Sequence, residues 1–242
     1  MRGIHTFRFV LKYLILGAVA AGLIALVVQD VFAKPMCDFP PAKIINSVAR
    51  VQIKEHEGLT TGTAVYTSEG WLTAAHVIRN NFKLFLGKET GGKEAVNLIH
   101  NRVRNDDTDT AYFFSKYTPR HAILMYDGIP PRGTKVWSMG FALGRDLLIT
   151  EGRVMGINPE KGWLVHTAPS ISGMSGGPVI SCDEELGEYY LVGTNSGIGK
   201  RPVNIAGLII GDAVSIVSYA STVPQHLNHI KGHYAHCRHQ PR

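Results

Sequence analysis

The stretch GMSGGPVI, Gly173 to Ile180, sets three glycines and a proline around one serine and then runs into β-branched residues. Glycine takes positive φ at no steric cost, and its missing side chain lets another chain approach the backbone closely. A hydroxyl on such a turn is open to a reacting partner. The amide hydrogens of Gly173 and Ser175 can converge on one small space, as an anionic tetrahedral centre requires. The plainer alternative is a tight turn between strands with Ser175 merely solvated. A serine hydroxyl is a weak nucleophile near neutral pH, so the chemical reading demands a base and a group that orients the base.

Both are found upstream. In WLTAAHVI, His76 follows two alanines at the end of a strand-like run, where small neighbours leave room around an imidazole. In NDDTDTAYFF, Asp109 opens another strand-like run, with Asp106 and Asp107 in the same acidic cluster. Singly, these residues read as an ordinary histidine and a solvated acidic loop. Together with Ser175 they have the composition of a nucleophile, base and orienting acid.

Between and around these points the chain alternates short β-branched runs with Gly, Asn, Asp and Pro: SVARVQI, TGTAVYT, KLFLG and AVNLIH in the front half, then KVWSMGF, DLLITEGRVMGI, GWLVHTA and EYYLVGTNSG in the back half. This spacing points to antiparallel strands in a sandwich or barrel, hence an all-β fold. A polar, proline-bearing stretch over 119–131 reads as the connector between a front β unit at 40–118 and a back unit at 132–220. GDAVSIVSYAST is the one stretch there that admits a short helix, and its Val, Ile and Ser make it a weak one.

The 242 residues, 45% hydrophobic, suffice for one large core or two small ones. Most of the formal charge of +6 lies at the ends, where Arg2, Arg8 and Lys12 and then Lys231, Arg238 and Arg242 are found. No basic stripe with interleaved aromatics runs through the body, so no nucleic-acid partner is expected. Residues 1–33 combine a basic start, the apolar run Tyr13–Val28 and the small residue Ala33. That is the layout of a signal peptide or of a single transmembrane helix, and either way the body is expected to be exported, secreted or anchored to the membrane through this segment. Of Cys37, Cys182 and Cys237, the first and last sit near the two ends of the exported part and form the conceivable bridge, with Cys182 a buried filler.

The trio TAAHV, DTAYF and GMSGGPV, in the order His, Asp, Ser, resembles the trypsin-like (chymotrypsin-fold) serine peptidases, most closely the simpler bacterial and viral members of HtrA and glutamyl-endopeptidase type. The resemblance extends over roughly Val48–Ile210, through TGTAVYTSEGWLTAAHVI, GTKVWSMGF and LVGTNSGIG. It implies two packed six-stranded antiparallel β-barrels behind an N-terminal hydrophobic helix. It also implies a serine endopeptidase with His76, Asp109 and Ser175 as catalytic residues, with Asp107 as the fallback acid. Gly173 and Ser175 would form the oxyanion hole; Pro169, Ser170, Thr194, Asn195, Ser196 and Gly197 would bind substrate. Protein or peptide is the expected partner, and neither a cofactor nor a catalytic metal is called for. Met174 stands where digestive relatives carry an acidic residue, so their mode of zymogen activation is not expected; Pro169 falls where an aspartate would select Lys or Arg, which disfavours trypsin-like specificity. No PDZ-like extension is recognised, so an HtrA-style regulated oligomer is not expected.

Two other readings compete. A non-catalytic binding module on the same fold would often lack a triad member, and here all three residue types are present. An α/β-hydrolase esterase also uses Gly-x-Ser-x-Gly, but with a helix directly after the serine and the order Ser, acid, His; here Gly176-Gly177-Pro178 leads into VIS. Residues 221–242 read as a disordered basic tail. Were a helix to form there, His226, His229, His233 and His236 would share a face suited to zinc or nickel, but Gly232 argues against that helix.

Overall fold

A computed structural model describes residues 37–54, 59–78, 83–87, 93–96, 102–205 and 208–238. The signal or anchor segment 1–33 lies outside the described residues. Among those described, no helix is long and apolar enough to cross a membrane.

The front sheet is built from β1 (Val48–Lys54), β2 (Leu59–Thr67), β3 (Gly70–Ala74), β4 (Lys83–Gly87), β5 (Lys93–Val96), β6 (Arg102–Asn105) and β7 (Thr110–Phe113), in the order β5-β4-β1-β2-β3-β7-β6. A short strand β8 (Leu124–Met125) leads into the back half, which holds β9 (Lys135–Gly140), β10 (Leu148–Ile157), β11 (Leu164–His166), β12 (Pro178–Asp183), β13 (Glu188–Ile205) and β14 (Leu208–Thr222). These run β12-β9-β10-β11-β14-β13, and a pairing of β12 with β13 closes the six into a barrel; β8 adds in parallel to β13. The back half is thus the expected six-stranded barrel. The front half is a seven-stranded sheet, and among the described residues no pairing joins its outer strands β5 and β6.

Both sheets lie in one compact unit, Cys37–Asp183 with Glu188–Arg242. Strand β3 is buried along its whole length, because successive side chains face opposite sides and both sides are covered. Trp71 and Ala74 enter the front core with Val51, Ala64 and Phe113. Leu72 turns the other way, into a second core that Val65 and Tyr112 share with Trp137, Met139, Phe141, Ile180 and Leu191 of the back half. The interior of the barrel is a third cluster, including Val136, Val154, Leu164, Val179 and Val192.

Three expectations are corrected. GDAVSIVSYAST is strand, part of β14, because its β-branched residues find partners in β11 and β13. The tail is ordered as a helix over Val223–Arg238; with α1 (Ala42–Ile45) it is named α2. Val223, Leu227 and Ile230 recur at i, i+4 and i+7 and pack into the core between the halves, which outweighs the cost of Gly232. Cys37 pairs with Cys182, their Cα atoms 5.9 Å apart, so Cys182 is a disulfide partner and Cys237 is not bonded to Cys37.

Candidate active site

The register of β3 with β7 sets Ala74 opposite Thr110. One residue past Ala74 the chain enters a short 3-10 turn, Ala75–Ile78, that carries His76; one residue before Thr110 stands Asp109. Pairing two strands therefore brings the imidazole to the carboxylate. Nδ1 of His76 lies 3.0 Å from Oδ1 and 2.9 Å from Oδ2 of Asp109, and the His76 N–H donates to Oδ1 at 3.0 Å. The Ser196 hydroxyl donates a short hydrogen bond to Oδ2. Burial pushes the Asp109 carboxyl up, but the His76 ring and amide and the Ser196 hydroxyl together outweigh it and hold the group below its ordinary value. Asp106 pairs with Arg104 at the surface and Asp107 is exposed, so of the three acids only Asp109 reaches the histidine.

Ser175 arrives from the barrel. Gly173 and Gly176 take φ of +92° and +79°, and each is needed for space as well as for backbone conformation. A Cβ on Gly176 would stand 2.0 Å from Thr73 Oγ1 and 2.8 Å from Ala74 N, so the serine turn lies directly against the end of the strand that presents His76. The turn is pinned there by Thr63 of β2: its N–H donates to Ser175 O at 2.8 Å and its hydroxyl to Gly173 O at 2.8 Å. No hydrogen bond joins the Ser175 hydroxyl to His76 among the described residues. In the turn, the N–H groups of Met174, Gly176 and Gly177 are engaged by Ile171, Asn195 and Met174 carbonyls. Those of Gly173 and Ser175 have no protein acceptor among the described residues.

Beside Ser175 opens a cavity of about 220 Å³, lined by Ser170, Ile171, Ser172, Ser175, Asn195, Gly197 and Ile198. Asn195 anchors its floor, sharing hydrogen bonds with the Ser138 and Ser170 hydroxyls at 2.9 to 3.1 Å. Gly197 has open space where a side chain would be, which leaves the mouth clear.

Residues 60–187, more than half of the chain, match the family described as trypsin-like peptidase domain. The chain belongs to this family. The fold of this trypsin-like peptidase domain is similar to that of the HtrA-type protease AlgW solved with a tripeptide, with TM-score 0.62 and 20% identity over 81% of this chain and 62% of that one. It is also similar to the serine endoprotease from Yersinia pestis, with TM-score 0.57 and 18% identity over 79% of this chain and 66% of that one. The chain thus spans less than two thirds of either protein. No curated protein matches its sequence.

Within the trypsin-like peptidase domain, the six residues expected to bind substrate divide. Ser170, Asn195 and Gly197 line the cavity. Ser196 instead faces Asp109, Thr194 is turned to His226 at 2.8 Å, and Pro169 is exposed with its carbonyl taken by Thr150. Thr194 and Ser196 flank Asn195 on β13, where the register with β14 shifts between Asn195 and Gly197 and leaves Ser196 out of the ladder. One contributor escaped the sequence reading. Ser138 is a lone fully buried hydroxyl between Trp137 and Met139, a polar residue at an apolar strand position that signals a buried hydrogen-bond partner. His226, singled out in the tail only as a conceivable metal ligand, is instead hydrogen-bonded to Thr194.

Proposed function

We propose that this chain is a serine endopeptidase that cleaves peptide bonds through an acyl-enzyme. The observation that carries the reading is the His76 ring held by both carboxylate oxygens of Asp109 while the Ser175 turn is bonded to Thr63 of β2 and lies, at Gly176, against the end of β3 that leads to His76. Ser175 Oγ attacks the scissile carbonyl as His76 Nε2 takes its proton, and the oxyanion is received by the N–H groups of Gly173 and Ser175. Collapse of the tetrahedral intermediate breaks the C–N bond; His76 returns the proton to the departing amine, and water, deprotonated by the same ring, releases the acyl group. Asp109 stays ionised, fixes the imidazole tautomer and stabilises the imidazolium. A cavity without a charged lining suits a small or polar neutral side chain ahead of the cleaved bond. Export through residues 1–33 agrees with the Cys37–Cys182 disulfide, which persists in an oxidising compartment.

Turnover of casein by the wild type and by Ser175→Ala tests the reading, with an ester substrate run alongside. Loss of about four to six powers of ten in the variant is expected. Cleavage by Ser175→Ala at the wild-type rate, or ester hydrolysis without casein cleavage, refutes it.

A further inference from the structure

We propose that the C-terminal helix α2 is a positioning element for the His76–Asp109 pair, acting through His226 on Thr194 and His229 on Thr110.

Asp109 needs holding. It is a non-glycine residue at φ +52°, a conformation that persists only where the surroundings over-determine it. Much of the grip comes from the segment that leads into α2. The Ser221 hydroxyl donates to the carbonyl of Thr108 at 2.8 Å and approaches that of Asp109 at 3.4 Å, and Trp163 Nε1 donates to Thr108 O at 3.2 Å. On the other side, the Ala75 N–H donates to Asp109 O at 3.2 Å.

The helix continues the clamp. His226, 1% exposed, lies between Val223, Leu227 and Ile230 on the inward face, and its Nε2 shares a hydrogen bond of 2.8 Å with Thr194 Oγ1. His229 Nδ1 is 3.0 Å from Thr110 Oγ1, and its ring meets Tyr112 edge-on at 5.6 Å. Thr110 directly follows Asp109; Thr194 stands two residues before Ser196 on β13, and Ser196 donates to the carboxylate. Each histidine therefore fastens a strand that carries one of the groups fixing Asp109. An apolar residue would fill the site of His226 without the cost of burying a polar ring, and that cost is offset only by its hydrogen bond. Burial first, then neighbouring His229, push its pKa down to about 3 against the pull of Asp109, so the ring stays neutral at working pH.

This inference rests on the triad reading, but its test does not need turnover. The readout is the downfield proton on His76 Nδ1, observed by NMR in the full chain as wild type, His226→Gln, His226→Leu and Thr194→Val. Glutamine can keep the bond to Thr194; leucine keeps only the bulk. The expected result is a sharp resonance in wild type and His226→Gln that is lost or broadened in His226→Leu and Thr194→Val. Where peptide is turned over, kcat falls roughly tenfold in those two variants with KM unchanged. An identical resonance in every folded variant overturns the proposal, and if His226→Leu does not fold, Thr194→Val decides. A wild type with the resonance but no turnover refutes the peptidase reading and leaves this comparison intact.

Discussion

Thr63 and Ser175 are joined backbone to backbone at 2.8 Å, a bond that crosses from the front sheet to the serine turn of the barrel. The Thr63 side chain, fully buried, reinforces it by donating to Gly173 O at 2.8 Å and accepting from Phe141 N at 3.0 Å. Thr63→Val keeps the shape and leaves two buried backbone groups without a partner. It is expected to cost about 2–4 kcal/mol of stability. As Gly173 drifts, kcat should fall more than KM rises. Urea unfolding and steady-state kinetics on the same preparation check both.

Gly176→Ala tests how closely the halves approach. At φ +79° the added methyl would stand 2.0 Å from Thr73 Oγ1 and 2.3 Å from Thr63 O, so strain and overlap act together. A loss of about 3 kcal/mol or more is expected, with activity abolished. Gly133 is the control. It has φ +90° but nothing within 4 Å of its would-be Cβ, so Gly133→Ala should cost only about 1–2 kcal/mol and spare turnover. Thermal melts of the two variants distinguish overlap from backbone strain.

Two buried histidines give the fold an acid limit. Burial, then His229, hold His226 down at about 3; burial, opposed by the Ala168 backbone, holds His166 at about 4. In the unfolded chain both take up protons near pH 6.5. The unfolded state therefore binds more protons between the two values, and stability falls as pH drops from about 6.5 toward 4 by up to ~1.4 kcal/mol per pH unit for each ring. His166→Leu should flatten the slope of urea stability against pH over this range relative to wild type. Parallel slopes would contradict the assignment.

Asp109 acts lower on the scale. Its folded pKa lies below the unfolded value, so its contribution is complete above about pH 4 and is lost as pH falls through the folded value. Asp109→Asn should remove that component of acid unfolding below pH 4 and lower kcat by about four powers of ten, by letting His76 adopt the wrong tautomer. A pH-jump unfolding series and peptide turnover measure the two effects separately.

The Cys37–Cys182 bridge closes a loop with sequence separation 145. Cys182→Ala, or reduction, is expected to cost about 2–5 kcal/mol, read as a lower urea midpoint under reducing conditions.

Local chemistry explains which of these features could be read before the fold was known. Ser175 and His76 stood out because glycines and alanines make unusual room around a polar residue, and the strand alternation placed both at strand ends. The resemblance singles out Asp109 over Asp107; what carries Asp109 to His76 is the register of β3 with β7, which no single segment encodes. Pairing of Cys37 with Cys182 rather than Cys237 likewise depends on where three distant segments meet. The helix of residues 223–238 was obscured by histidines and Gly232, although Val223, Leu227 and Ile230 already carried its apolar stripe. GDAVSIVSYAST misled in the opposite direction: it was open to a short helix, yet the Val and Ile that weaken a helix suit the strand it forms against β11 and β13. Thr194 and Ser196 lie on the strand that lines the cavity but are bonded to His226 and Asp109, partners that no local pattern names.

The connector between the halves is more than a tether. Ile123 N–H donates to Tyr66 O at 3.0 Å on the front sheet, while Leu124 and Met125 pair with β13 and Tyr126 N–H donates to Leu191 O at 2.9 Å. A segment stitched to both bodies works as a brace instead of a hinge. Spreading the two halves would break these bonds and open the apolar core they share.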